Sequence, residues 1–127
     1  TVLTLDPHLR FTAPPEAWYA IEGSLVPNCA SATPDIKFNL AYPGGGGYYL
    51  QFSSVDAFGA VSNAIASPVS DAVIPVVQGQ IQLIHVSGKL NMGQPGGTVA
   101  LRWAQNTADS AQTHLLFGSW MRFTRLR

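Results

Sequence analysis

Charge is scarce in this sequence. Only 11% of its 127 residues are Asp, Glu, Lys or Arg, against roughly a quarter in an ordinary globular domain. Seven acids cancel seven bases, and 46% of the residues are apolar. A disordered tail needs the opposite balance, so the chain is read as folded. A nucleic-acid-binding domain is basic overall, and this one is neutral, so no direct nucleic-acid partner is expected. One cysteine, Cys29, excludes an intrachain disulfide framework. A membrane span needs about 18 uninterrupted apolar residues; the best run, residues 73–77, has Pro75 inside it, so no membrane partner is expected.

Chemical motifs are scarce too. There is no Gly-x-Ser-x-Gly elbow and no glycine-rich phosphate cradle with a following lysine. The run Gly44-Gly45-Gly46-Gly47 leads into Tyr48-Tyr49, which reads as a flexible loop. His8, His85 and His114 lie far apart, without the close spacing that puts two imidazoles on one metal. The carboxylates are scattered, so no local acid/base pair is in view. Asp6 and His8 share a strand face, and read as a turn aspartate beside a surface histidine. Cys29 has no basic neighbour to activate it and reads as a buried thiol. These readings point away from an enzyme and from any metal or cofactor.

What the sequence has is alternation. Leu9, Phe11 and Ala13 share one face of a strand that Pro14-Pro15 ends. Tyr19, Ile21, Gly23 and Leu25 alternate with Trp18, Ala20, Glu22 and Ser24, and Pro27-Asn28 closes that run. Ile36, Phe38, Leu40 and Tyr42 form the next face, and residues 48–53 resume after the glycines. Residues 80–90 and 98–105 alternate clearly, with Val99, Leu101 and Trp103 on one face. Residues 113–126 complete the set, with a break at Gly118. Residues 1–5 read as strand, not as a targeting segment. Residues 54–79 lack periodicity and are read as an irregular insertion or long loop, with a short helix near 57–65. The fold class is therefore all-β: an antiparallel β-sandwich of jelly-roll type with 7–8 strands, in one domain over residues 1–127.

Charge is balanced overall but not along the chain. Residues 1–88 carry two basic and six acidic groups; residues 89–127 carry five basic and one acidic. A basic end and an acidic body are suited to meet across a subunit contact. The low charge likewise points to a homo-oligomer with sizeable apolar contacts. Trp18, Trp103 and Trp120 lie within alternating runs and read as core or contact residues.

The last thirty residues have the most character. The run Gly97-Thr98-Val99-Ala100-Leu101-Arg102-Trp103-Ala104-Gln105-Asn106-Thr107 leads through a polar stretch to Gly118-Ser119-Trp120-Met121-Arg122-Phe123-Thr124-Arg125-Leu126. With Asp6-Pro7-His8-Leu9, Trp18-Tyr19-Ala20-Ile21-Glu22-Gly23 and Thr33-Pro34-Asp35-Ile36-Lys37-Phe38, this resembles structural proteins of tailed bacteriophages, especially phages of actinobacteria. The resemblance covers about two-thirds of the chain and leaves out residues 54–79. It implies a trimeric β-sandwich of capsid-decoration or head-fibre type on the virion exterior, assembled in the host cytoplasm. It implies no catalytic residue and no cofactor. Expected partners are further copies of the chain and major capsid or tail proteins, with subunit or capsid contacts at Trp103, Trp120, Arg122 and Phe123. The alternative is a tail-fibre or tail-tip domain that grips host glycans through Tyr48 and Tyr49.

Overall fold

The computed structural model describes every residue except 1, 32, 33, 57, 77, 78, 80, 81 and 117. Sequence alternation becomes burial alternation along Trp18–Leu25. Tyr19, Ile21, Gly23 and Leu25 point inward, and Trp18, Ala20, Glu22 and Ser24, which alternate with them, are more exposed. Successive side chains of a strand leave opposite faces, so one apolar face needs a second layer to cover it.

Eleven strands meet that need, and no helix occurs among the described residues. They are β1 (Thr4–Ala13), β2 (Trp18–Leu25), β3 (Pro27–Cys29), β4 (Ile36–Ala41), β5 (Gly47–Val55), β6 (Val61–Ala66), β7 (Ala72–Ile74), β8 (Leu83–Asn91), β9 (Gly97–Gln105), β10 (Thr113–Leu115) and β11 (Trp120–Arg125). All pairings are antiparallel. A four-stranded sheet has the order β1-β9-β4-β7, and a five-stranded sheet the order β11-β2-β8-β5-β6. A two-stranded ribbon joins β10 to β3. The architecture is all-β and sandwich-like.

The core lies between the two larger sheets. Phe38 from β4 stacks on Phe52 from β5, with ring centroids 5.0 Å apart. Leu25, Leu50, Ile84, Val86 and Leu101 fill the space around them without exposure. Burying a side chain of this size stabilises the fold by about 1.5–3 kcal/mol relative to leaving it wet. Polar groups inside are matched. Gln82 donates through Nε2 to Ser54 Oγ at 2.8 Å and to the Pro75 carbonyl at 2.7 Å.

Several expectations need correction. Eleven strands lie among the described residues, not 7–8, because Pro27-Asn28 reads as a turn and residues 54–79 read as an irregular insertion or long loop. Pro27-Asn28 does not simply close a run: with Cys29 it forms β3, paired with Thr113–Leu115. Residues 54–79 hold the end of β5, then β6 and β7. Of the helix expected near 57–65, residues 61–65 lie in β6, paired in unbroken register with β5. The glycine loop is not held loosely either. Its backbone packs on the 91–93 turn so closely that a Cβ on Gly46 would strike the Asn91 carbonyl, and one on Gly93 would strike Gly45. Absent side chains here permit contact between two backbones.

Candidate interaction surface

Each sheet has two end strands, and the ends of one sheet lie beside the ends of the other. On one side β6 packs against β7. On the other, β1 meets β11 through Phe11 and Phe123, whose ring centroids are 4.4 Å apart. Phe11 also meets Tyr19 edge-on at 5.1 Å. This second seam is open on the outside.

Its opening begins with a break in β1. Pairing with β9 shifts between Leu5 and Arg10, so the intervening residues leave the regular ladder. Asp6 fixes this bulge. Its Oδ1 accepts the backbone N–H groups of His8 at 2.8 Å and Leu9 at 3.0 Å. Its Oδ2 accepts the Trp103 indole N–H at 3.2 Å. A turn aspartate held this way supplies its own reason for being there. His8 beside it is exposed. No cluster of three or more His, Cys, Asp or Glu residues able to hold a metal ion occurs among the described residues.

Two adjoining hollows result. One, of about 740 Å³, is lined by Asp6, His8 and Leu9 on the β1 side and by Leu115, Leu116 and Trp120 on the other. The second, of about 380 Å³, continues between Leu9, Arg10 and Phe11 and Met121, Arg122 and Phe123. Together they form a groove along the seam with an apolar floor. An arginine stands on each rim: Arg10 on β1 and Arg122 on β11. Arg122 forms an ion pair with Glu22, which faces it across β2.

The expected contact residues separate here. Trp120, Arg122 and Phe123 all line the groove. Trp120 is 46% exposed, a large aromatic surface left in solvent. Phe123 is half-buried against Phe11. Trp103 lies outside the groove, packed on the core, and reaches it only through its bond to Asp6. Leu9, Leu115 and Leu116 also line it. Sequence gave no signal for them, because two strands from different sheets are brought together only by folding.

The tyrosine pair also separates. Tyr48 and Tyr49 lie on strand β5, not on a loop, so they point to opposite faces. Tyr48 is 7% exposed. Its hydroxyl donates to the Ser67 carbonyl at 2.9 Å and accepts the Leu40 N–H at 3.2 Å. Burial pushes this phenol above its usual pKa. A ring so committed is not presented to a glycan, and its place among the expected glycan contacts is corrected to a core position. Tyr49 is 54% exposed and shares a shallow hollow of about 380 Å³ with Gln51, Ser87 and Lys89 on the outer face. Cys29 is buried, with its thiol 3.9 Å from the Ala111 carbonyl.

No known family model, curated protein or solved structure matches the chain.

Proposed function

We propose that the chain is a non-enzymatic structural protein of a tailed-bacteriophage virion, of capsid-decoration or head-fibre type. It acts as a trimer on the outside of the particle and is assembled in the host cytoplasm. The observation that carries this reading is where the C-terminal motif lies. Trp120, Arg122 and Phe123, part of the run that resembles phage structural proteins, line one apolar groove with basic rims. Exposed apolar surface rimmed by polar groups is the mark of a protein contact.

The fold in this reading is a jelly roll. Supporting it is the order β1-β9-β4-β7 in one sheet and β2-β8-β5-β6 in the other. Those eight strands make two four-stranded layers. β11, added beside β2, and the β3/β10 ribbon then make up the remaining three. A lone buried thiol suits assembly in a reducing cytoplasm.

Imaging of intact particles tests the reading. Density for this fold, in many copies on the shell surface, is the expected result; particles without it sink the proposal. A second reading, glycan recognition at a tail tip, rests on the exposed Tyr49 beside Gln51 and Lys89. It predicts a few copies per particle and host adsorption that is lost in Tyr49→Ala.

A further inference from the structure

We infer that the open β1/β11 seam of one subunit receives the β6 edge of a second copy of the same chain, head to tail. This deepens the self-association in the reading above and rests on it.

The first observation is an unguarded edge. β6 ends the five-stranded sheet, and its outer side has no strand partner among the described residues. Its sequence, Val-Ser-Asn-Ala-Ile-Ala, holds no charge and no proline, and its register with β5 has no bulge. Val61 and Ile65 are exposed along it. Soluble proteins blunt such edges with lysine, proline or a bulge, because unpaired backbone groups recruit another strand. Here none of those devices is present, so the edge is built to be covered.

The second observation is charge. No Lys or Arg occurs between Lys37 and Lys89. β6 and β7 therefore carry no basic group, and Asp56 and Asp71 stand just before them. The opposite strands β1 and β11 carry Arg10, Arg122 and Arg125 against one acid, Asp6, and Arg122 pairs with Glu22 of β2. An edge flanked by two acids and a seam with a surplus of arginine, on opposite sides of one subunit, are complementary between subunits.

The third observation is fit. β6 and β11 are each six residues long, and β11 also ends its sheet. Laying β6 of one copy along β11 of the next joins their five-stranded sheets into one. Val61 and Ile65 then meet the surface that Trp120 begins. The two surfaces differ, so the contact is heterologous. Repetition closes into a ring when the rotation divides the circle.

Native mass spectrometry and light scattering on the purified chain test this. The wild type is expected as a closed multimer that loosens as salt is raised. Ile65→Lys, which spoils only the edge, and Trp120→Asp, which spoils only the seam, are each expected as single subunits. The loss in affinity is roughly a hundredfold or more for a charge buried without a partner. Both positions are exposed, and unchanged circular dichroism verifies that the variants are folded. Mixed one to one, the two variants are expected to form a two-subunit species through the single junction left intact. A mixture that stays monomeric overturns the contact. So does a Trp120→Asp variant that assembles like wild type, the sign of β6 pairing with itself. A multimer unmoved by either variant overturns the contact but leaves the trimer standing. A wild type that is always monomeric removes both. Absence from particles with assembly intact strikes the virion role alone.

Discussion

The two seams of this molecule are built from different residues and do different things. At the β6/β7 seam most inward side chains are small: Ala64, Ala66 and Ala72, with Ile74 the one large residue beside them, let two sheets close on each other, and Ala66 and Ala72 are all but inaccessible. At the β1/β11 seam the inward side chains are large, and Phe11 and Phe123 prop the sheets across a groove. Small residues shut one side of the sandwich and aromatic residues hold the other ajar. The closed seam is left with an unprotected strand edge. The open seam has charged rims and an edge interrupted by a bulge. Each therefore lacks what the other offers.

The largest test compares one kind of deletion in two places. Phe52→Ala, in the centre, is expected to cost about 3–5 kcal/mol in chemical unfolding. Phe11→Ala at the open seam should cost clearly less, because the groove already brings water to that ring. Equal losses would mean that the open seam is core after all. Overpacking tests the closed seam from the other side: Ala66→Leu is expected to cost about 1–3 kcal/mol in the same unfolding assay.

Tyr48 anchors β5 to the connection that leaves β6, so it probes the closed side through its hydroxyl. Tyr48→Phe is expected to cost about 1–3 kcal/mol, since the Leu40 N–H and the Ser67 carbonyl lose their partner. The same group sets an alkaline limit. Its pKa is raised in the folded state above the ordinary 10.0. Above that pH the unfolded chain gives up a proton that the folded chain still holds, so stability falls as pH rises. An unfolding titration in which Tyr48→Phe loses this slope and wild type keeps it would verify the assignment. The smallest effect is at the rim. Glu22→Gln breaks an exposed ion pair and should change stability by no more than about 1 kcal/mol.

Legibility followed contrast between the two faces of a strand. Strands whose large apolar residues alternate were readable: Tyr19, Ile21 and Leu25 on β2, and Ile36, Phe38 and Leu40 on β4, are all buried. β6 and β7 were not readable. Alanine and serine carry little contrast between an inner and an outer face, and it is this smallness that lets the seam close. β3 was hidden by its proline, a residue usually read as a stop, which an edge ribbon tolerates. At the candidate surface, Trp120, Arg122 and Phe123 were found because they share one strand. Leu9 and Leu115 were missed because their neighbours there come from far along the chain. The strand from residue 48 was legible, but not that Tyr48 faces the core and Tyr49 the solvent, because two adjacent tyrosines give no contrast between faces.

Alone, the sequence determined that the chain folds into antiparallel strands, and which face of each long strand is buried. Both follow from a period of two in side-chain polarity, a local property. Tertiary structure alone decided which strand ends lie side by side, that one seam shuts on alanines while the other gapes over Phe11, and that basic groups border the gap. Those outcomes depend on side-chain volumes meeting between sheets, and no single stretch of chain contains both sides of that contact.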